Sequence, residues 1–180
     1  HIEFAVEMGD ISASLDSEAR ALLKIGDAQF AFKDCPDFAS YLCGGWLEEY
    51  VYLLLEPLLR SGVLRDLRVG LEVSWKQGDE RRSRLSAQEF DVACTDGKRL
   101  LVLECKAGSV RSEHIFKLQD CVRNYGGVEA RGVLVAAFSP GKAVRRRLKD
   151  ARNLSLMAGR DVPEGLKVVV QKLTNSGRLD

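Results

Sequence analysis

An Asp-Gly pair between two apolar segments constrains the fold of this chain more than any other feature of its sequence. Residues 87–95 read AQEFDVACT, residues 98–106 read KRLLVLECK, and Asp96-Gly97 lies between them. Asp-Gly flanked by alternating apolar residues is a strong signal of a β-hairpin. We therefore predict two antiparallel strands that are joined at Thr95-Asp96-Gly97-Lys98.

The predicted hairpin determines which side chains share a face of the sheet. With Asp96 and Gly97 as the two turn residues, Asp91 faces Val102. Asp91 and Glu104 are then diagonal neighbours whose backbones lie about 7 Å apart. Side chains on one face recur at every second position of a strand. One face then carries Glu89, Asp91, Glu104 and Lys106. The opposite face carries Phe90, Val92, Leu101, Leu103 and Cys105, which suits a hydrophobic core.

Helical and strand patterns alternate around this hairpin. Helices are predicted at residues 45–60, 112–125 and 142–158, and further strands at residues 67–75, 131–138 and 166–173. The order helix, three strands, helix, strand, helix, strand is typical of a three-layer α/β domain with a mixed sheet. We assign this domain to residues 41–180 and interpret the weakly patterned residues 1–40 as a linker or a remnant of a preceding domain.

The formal net charge of +1 over 180 residues conceals an uneven distribution of charge. Residues 1–56 carry a net charge of −8 and residues 57–180 a net charge of +9. Residues 131–160 hold eight basic side chains and one acidic side chain, Asp150. Such an asymmetry is typical of a surface that faces a polyanion, although a solvated basic helix explains it equally well.

The cysteines and the apolar segments indicate a cytoplasmic protein. None of the five cysteines forms a C-x-x-C pair, so neither a zinc site nor a disulfide framework is predicted. No apolar run approaches the roughly 18 residues of a membrane helix, and no signal peptide is expected. The only histidines are His1 and His114, which excludes a mechanism based on paired histidines.

The acidic face of the hairpin is the candidate for a metal-binding catalytic site. Carboxylates that face one another repel unless a cation or a neighbouring lysine such as Lys106 compensates. Oxygen ligands favour Mg²⁺ or Mn²⁺ over zinc. A metal-activated water, charge neutralisation and an oriented nucleophile are what phosphodiester hydrolysis needs. The alternative is a solvent-facing hairpin with a surface Glu-Lys pair.

Two motifs resemble those of restriction-endonuclease-like, PD-(D/E)xK nucleases. Asp91, followed after twelve residues by Glu104-Cys105-Lys106, resembles the D…(D/E)-x-K signature. G-x-x-L-E-x-x-V at residues 44–51 resembles the first-helix motif, whose glutamate reaches the metal site. That glutamate corresponds to Glu48 here, with Glu49 as the alternative. The resemblance implies a restriction-endonuclease-like fold, a central mixed sheet flanked by helices.

A narrower resemblance covers residues 38–140. The segments GGWLEEYV, EFDV, LVLECK and KLQDCVRNYGG resemble the C-terminal nuclease domain of CRISPR ancillary nucleases with a fused CARF sensor. The resemblance implies a homodimeric, metal-dependent nuclease that cleaves single-stranded RNA, DNA or both when cyclic oligoadenylate activates it. It also implies a sensor domain that this chain is too short to include.

The predicted roles follow from the hairpin and from the resemblance. Asp91, Glu104 and the main-chain carbonyl of Cys105 are predicted to bind Mg²⁺ or Mn²⁺. Lys106 is predicted to position the attacking water, and Glu48 to support the metal shell. Glu89, Glu49 and Gln119 are the candidates for supporting the site. Lys117 and Gln119 both lie on the helix after the hairpin, where the resemblance implies that a lysine or a glutamine supports the site. Phosphate contacts are predicted for Arg81, Arg82, Arg84, Arg145, Arg146 and Arg147.

Two other functions remain compatible with the sequence. The same fold could serve as a non-catalytic module for nucleic-acid binding or dimerisation, which salt-dependent binding without Mn²⁺ binding would indicate. A restriction or junction-resolving nuclease is the other alternative, and a preference for structured duplexes would indicate it.

Overall fold

The computed structural model describes residues 6–8, 11–15, 21–25, 28–32, 41–73 and 88–175. The chain divides into two compact units, His1–Trp46 and Leu47–Asp180. Within the described residues, no helix is both long enough and apolar enough to cross a membrane.

The first unit contains a small antiparallel sheet. Its strands are β1 (Val6–Met8), β2 (Ile11–Leu15), β3 (Ala21–Ile25) and β4 (Ala28–Phe32). Each strand pairs with the next one along the chain, so the sheet is a simple meander. A π-helical turn follows at Tyr41–Gly45. The described part of the predicted linker or domain remnant is therefore a four-stranded sheet.

The second unit is built on a five-stranded mixed sheet. Its elements are α1 (Trp46–Arg60), β5 (Asp66–Val73), β6 (Gln88–Thr95), β7 (Leu100–Lys106), α2 (Ser112–Tyr125), β8 (Arg131–Ala136), α3 (Lys142–Asp150), β9 (Leu154–Ala158) and α4 (Val162–Asn175). The strands lie in the order β5-β6-β7-β8-β9. The β5–β6 and β6–β7 pairs are antiparallel, and the β7–β8 and β8–β9 pairs are parallel.

The two parallel pairs place α2 and α3 on one face of the sheet. Crossovers between parallel strands are right-handed in nearly all proteins, so two successive crossovers in one direction cover the same face. The core cluster agrees, because it joins Ile115 and Leu118 of α2 with Val144 and Leu148 of α3. Leu134 of β8 lies in the same cluster and has no exposed surface.

A second layer of helices covers the other face of the sheet. Leu101 and Leu103 alternate with Val102, which faces α2, and both are fully buried. Helices α1 and α4 contribute no residue to the cluster of α2 and α3, so we infer that their buried faces cover this side of the sheet. These faces consist of Leu47, Val51 and Leu55 in α1 and of Leu166, Val170 and Leu173 in α4. The predicted three-layer α/β fold with a mixed central sheet is confirmed.

Two predicted elements near the carboxyl terminus are wrong. The helix predicted at residues 142–158 ends at Asp150, and Leu154–Ala158 is the edge strand β9. The strand predicted at residues 166–173 is helix α4, in which Val162, Leu166 and Val170 are buried at a spacing of four. Val168-Val169-Val170 favours a strand locally, but the helical spacing of the apolar residues decides the element.

Gly132 offers a test of the contact between β8 and α2. A Cβ atom there would lie 2.5 Å from Leu154 Cδ2, 2.9 Å from Val122 Cγ2 and 3.0 Å from Leu118 Cγ. Gly132→Ala is expected to lower the free energy of unfolding by about 1–3 kcal/mol, because the layers must separate. Urea denaturation measures this loss.

Gly108→Ala is the matched control for Gly132→Ala. A Cβ atom at Gly108 meets no atom of the described residues within 4 Å. The control is expected to change the free energy of unfolding by less than about 0.5 kcal/mol. Equal losses in the two variants would contradict the close approach of strand and helix.

Candidate active site

The predicted hairpin forms, but its turn is longer than predicted. Thr95 pairs with Leu100 and Val92 with Leu103, so the loop has four residues instead of two. Asp96 accounts for the difference, because its Oδ1 accepts hydrogen bonds from the N–H groups of Lys98 (2.9 Å) and Arg99 (2.8 Å).

The corrected register brings the two central carboxylates closer together. Continued by one residue, the β6–β7 ladder places Asp91 opposite Glu104, whereas the sequence predicted Val102 opposite Asp91. A shift of two residues does not by itself move a side chain to the other face, because side chains alternate with a period of two. Asp91 and Glu104 are therefore direct neighbours across the strands.

Phe90 corrects a second detail of the predicted faces. It was predicted on the core face opposite the carboxylates, but it packs edge-on against Tyr125 of α2, with ring centroids 5.3 Å apart. It belongs to the same core cluster as Ala93, three positions further on. The strand therefore departs from regular alternation beside Asp91. Gly70 of β5 lies between Val69 and Leu71, which pair with Val92 and Phe90, so it is opposite Asp91. Its φ is 60°, in the left-handed region that favours glycine.

Three oxygen atoms converge on the ammonium of Lys106. Its Nζ lies 2.8 Å from Glu104 Oε1, 3.2 Å from Asp91 Oδ2 and 2.9 Å from the main-chain oxygen of Cys105. Asp91 is 7% exposed and Glu104 4% exposed, so both carboxylates are buried. A buried carboxylate needs a compensating charge, and one ammonium here serves two of them.

Each carboxylate has a further partner that fixes its position. The N–H of Cys105 donates a hydrogen bond of 2.7 Å to Asp91 Oδ2. Lys117 of α2 reaches Glu104 from the helical layer, with its Nζ 3.2 Å from Oε2. The two oxygens of Glu104 are thus held by two different lysines, so its carboxylate plane is defined by both β7 and α2.

Electrostatics connect Glu48 of α1 to this cluster. Its side chain is half-buried next to the buried residues Leu47 and Val51 of α1, whereas Glu49 is exposed. Burial, followed by repulsion from Asp91, raises the pKa of Glu48 from 4.5 to about 6. Lys106 acts in the opposite direction, and Glu89 and Glu104 add smaller repulsions. The structure thus brings Glu48, rather than Glu49, to the predicted site.

Burial and the neighbouring carboxylates have opposite effects on the pKa of Lys106. Burial by itself would lower the pKa of Lys106, but its contacts with Glu104 and Asp91 outweigh burial and raise that pKa above its ordinary value. Burial also raises the pKa of the Cys105 thiol, and the neighbouring Asp91 adds to this effect. Lys106 is therefore charged and Cys105 is a neutral thiol at neutral pH.

The remaining predicted residues are exposed or lie outside the described residues. Glu89 is exposed on β6 and Gln119 is exposed on α2. Arg145, Arg146 and Arg147 are all exposed on α3, whose buried face consists of Val144 and Leu148. The predicted phosphate contacts Arg81, Arg82 and Arg84 lie outside the described residues.

Two residues of α2 lie beside the carboxylates: Lys117, which was among the predicted supporting residues, and His114, for which no role was predicted. Lys117 contacts Glu104, and His114 lies one turn earlier on the same face of the helix. His114 Nδ1 accepts a hydrogen bond of 3.1 Å from the N–H of Arg111, which orients the ring. Burial, followed by the charge of Lys106, lowers the pKa of His114. Its spacing of three from Lys117 was the signal in the sequence.

The donor set fits a hard divalent cation. The atoms that converge on Lys106 Nζ are all oxygens, which suit Mg²⁺ or Mn²⁺. In the described part of the chain, no three carboxylate, histidine or cysteine side chains are grouped as a metal site. A cation here would therefore be held by Asp91, Glu104 and the Cys105 carbonyl, and water would complete its coordination, as is common for Mg²⁺.

A cavity of about 480 Å³ lies at the opposite edge of the sheet. Its lining includes Arg99, which precedes β7, and Arg131, which begins β8. Arg99 is itself engaged by Glu129 at 2.9 Å and by the main-chain oxygen of Leu173. None of the predicted site residues lines this cavity, so it is separate from the carboxylate cluster.

Comparison with known protein families gives one match that covers most of the chain. The family described as "Card1-like, endonuclease domain" matches residues 35–174. This range includes every residue of the carboxylate cluster. No curated protein matches the chain at a significant level.

Solved structures share the fold. The Can2 protein from Sulfobacillus thermosulfidooxidans, solved in complex with cyclic tetra-adenylate, aligns with a TM-score of 0.65 and 19% identity over 96% of this chain and 47% of its own. Protein VC1899 from Vibrio cholerae aligns with a TM-score of 0.63 and 23% identity over 91% of this chain and 39% of its own. The chain thus spans less than half the length of either protein. The predicted restriction-endonuclease-like fold is confirmed.

Lys106→Met tests whether the ammonium and a metal ion use the same oxygens. The substitution removes the charge but keeps an unbranched side chain. Since Lys106 Nζ contacts all three oxygens within 3.2 Å, its removal is expected to tighten Mn²⁺ binding by about tenfold. Isothermal titration calorimetry measures the dissociation constant.

Lys149→Met is the matched control for charge. Lys149 is exposed at the end of α3, so this variant removes one positive charge away from the carboxylates. Its Mn²⁺ affinity is expected to equal that of the wild type. Unchanged or weaker Mn²⁺ binding by Lys106→Met would show that the ammonium and the metal ion do not compete.

Glu48 predicts a pH dependence of stability. Its folded pKa of about 6 lies above the ordinary 4.5, so the folded state keeps a proton that the unfolded state loses between these values. The stabilising contribution of Glu48 is therefore complete below pH 4.5 and is lost as the pH rises through about 6. The free energy of unfolding of the wild type, measured relative to Glu48→Gln, should fall over this range. A difference that stays constant would contradict the burial of Glu48.

Proposed function

Because this chain belongs to the family of Card1-like endonuclease domains, we propose that it is a metal-dependent endonuclease that hydrolyses single-stranded RNA, DNA or both. The convergence of Asp91, Glu104 and the Cys105 carbonyl on one cationic atom supports this proposal most directly. Phosphodiester hydrolysis needs a strong positive charge beside a water molecule and a phosphate, and three buried oxygens are suited to hold such a charge.

Asp91 and Glu104 are the proposed ligands of Mg²⁺ or Mn²⁺, together with the Cys105 carbonyl. When bound, the cation would lower the pKa of a bound water and neutralise charge on the phosphate. The hydrogen bond from the Cys105 N–H to Asp91 and the ion pair of Lys117 with Glu104 support the orientation of the two carboxylates. Preorganised ligands of this kind keep the cost of reorganisation low during the reaction.

Lys106 is the proposed positioning group for the attacking water. Its ammonium is held within the site by Glu104 and Asp91 and stays protonated at neutral pH. A protonated ammonium donates hydrogen bonds, so it can orient a water oxygen and stabilise negative charge on the phosphate as the P–O bond breaks. Glu48 is proposed to support the metal shell, because its ionisation responds to Asp91 and Lys106.

The exposed arginines of α3 are the proposed contacts to the nucleic-acid backbone. Arg145, Arg146 and Arg147 leave only Val144 and Leu148 for the hydrophobic face of the helix. Contacts of this kind to phosphates are independent of base sequence and weaken as salt is added. Arg81, Arg82 and Arg84 remain candidates for the same role.

The biological setting is part of the same proposal. Can2 is a solved protein that binds cyclic tetra-adenylate, and it is more than twice as long as this chain. We propose that this chain is the effector part of a cytoplasmic CRISPR-associated nuclease, in which residues 41–180 form the nuclease domain. A preceding sensor domain would respond to cyclic oligoadenylate, and two copies would act as a homodimer.

Substitution of either carboxylate tests the proposed chemistry. Asp91→Asn and Glu104→Gln keep the shape of each side chain but remove the charge that holds the cation. Cleavage of a labelled single strand in Mn²⁺ is expected to fall below about one hundredth of the wild-type rate. Mn²⁺ binding should weaken in parallel, which calorimetry measures independently of cleavage.

The control for these variants is Glu164→Gln. Glu164 is exposed on α4 and pairs with Lys167 on the surface, so its variant should cleave at the wild-type rate. Wild-type cleavage by Glu104→Gln would refute the assignment of the site. Salt-dependent strand binding without Mn²⁺ binding would instead identify the chain as a non-catalytic module, and faster cleavage of duplexes would favour a restriction or junction-resolving nuclease.

A further inference from the structure

Two exposed aromatic residues are chain neighbours of residues that contact the carboxylate strands. Phe116 is 51% exposed and Phe138 is 59% exposed, which makes them the most exposed aromatic side chains in the described part of the chain. We propose that these two rings form a stacking surface for the unpaired bases of a single-stranded nucleic acid. This inference rests on the proposed nuclease function and deepens it, since it names the side chains that hold the unpaired bases of the substrate.

Phe116 is tied to the site through its neighbour in the chain. Lys117 contacts Glu104, so the ring of Phe116 projects from the turn of α2 that touches a proposed metal ligand. The guanidinium of Arg147 lies over one face of this ring, 4.9 Å from its centre. An aromatic face beside an arginine combines a surface for a base with a contact for the adjoining phosphate.

Phe138 is tied to the site in the same way. The N–H of Ala137 donates a hydrogen bond of 3.0 Å to the main-chain oxygen of Lys106. Phe138 therefore directly follows Ala137, which is hydrogen-bonded to Lys106 at the end of β7. Residues 131–138 were predicted as one buried strand, but β8 ends at Ala136 and leaves Phe138 outside the sheet.

Neither ring is needed by the hydrophobic core. The buried face of α2 consists of Ile115, Leu118, Cys121 and Val122. Burial of a phenylalanine stabilises a fold, so two half-exposed rings forgo much of that stabilisation. Exposed aromatic residues at a charged site are typical of recognition surfaces.

The surrounding charge favours a nucleic acid over a second copy of this chain. Helix α3 carries five exposed basic residues, which are Lys142, Arg145, Arg146, Arg147 and Lys149. Its only acidic residue is Asp150. The acidic residues of α2 next to Phe116, Glu113 and Asp120, lie 3.6 Å and 3.3 Å from Arg111 and Arg123. Two copies that met through this surface would bring like charges together, whereas a polyanion neutralises them.

The rings also distinguish single strands from duplexes. In a duplex each base is stacked on its neighbours, so its faces are inaccessible to a side chain. In a single strand the faces are open, and stacking of a base on an aromatic side chain is tolerant of sequence. The proposed occupant is therefore a strand with unpaired bases.

The test compares strands with and without bases. Fluorescence anisotropy, recorded in EDTA so that no cleavage occurs, gives the affinity of this chain for a labelled oligonucleotide and for an abasic strand of equal length. Phe116→Ala and Phe138→Ala are each expected to weaken binding of the normal strand by about tenfold and to leave binding of the abasic strand unchanged. Phe116→Tyr, which keeps the ring, should bind like the wild type.

Val168→Ala is the control, because Val168 is an apolar residue of α4 that is 45% exposed. It should bind both strands like the wild type. Equal weakening of both strands by Phe116→Ala, or no weakening at all, would overturn the stacking surface. So would a loss of self-association in that variant without a loss of strand binding.

Failure of this inference can be told apart from failure of the proposed function. If the wild type cleaves single strands in Mn²⁺ while Phe116→Ala and Phe138→Ala bind them normally, the stacking surface is wrong and the nuclease stands. If the base-dependent loss of binding occurs but no variant or wild type cleaves, the surface stands and the proposed chemistry is wrong.

Discussion

The contact of one ammonium with three oxygens determines the arrangement of the site. Asp91 and Glu104 are both buried, and two buried carboxylates on facing strands would repel each other strongly without a cation between them. Lys106 supplies that charge from the end of β7, and Lys117 adds a second positive charge from α2. The positions of the two carboxylates therefore depend on how these charges are balanced.

The parallel half of the sheet explains why the functional groups gather at one edge. Lys106, Ala136 and Ala158 end neighbouring parallel strands in register. Each following helix must begin at that edge, so the first turns of α2 and α3 lie close to the carboxylates. His114, Lys117 and the exposed Phe116 are thus brought to the site by topology, and the guanidinium of Arg147 follows from α3 through its contact with Phe116. The carboxylates and the starts of α2 and α3 lie at one edge of the sheet because the chain crosses over twice in the same direction.

The side-chain alternation of strands is predictable from the sequence, whereas local propensity gives the wrong element near the carboxyl terminus. The turn between β6 and β7 has four residues instead of two, yet Asp91 and Glu104 stay on one face, because a shift of two preserves alternation. Phe90 escapes this rule, since its ring packs against Tyr125 on the other side of the strand. Leu154–Ala158 was predicted as the end of a helix, although it pairs with β8 as a strand. Nothing in the segment itself separates these outcomes, because no glycine or proline interrupts it.

By itself, the sequence determined the hairpin, the spacing of Asp91, Glu104 and Lys106, and the alternation of helices with strands. These features are local, since they follow from a turn signal and from the periods of strands and helices. Only the tertiary structure decided that Lys117, rather than Gln119, contacts Glu104, that Glu48 is half-buried near Asp91 while Glu49 is exposed, and that Phe138 lies outside the sheet. Each of these outcomes depends on how a helix or a strand end packs against a sheet that is distant in sequence, and no local pattern encodes that packing.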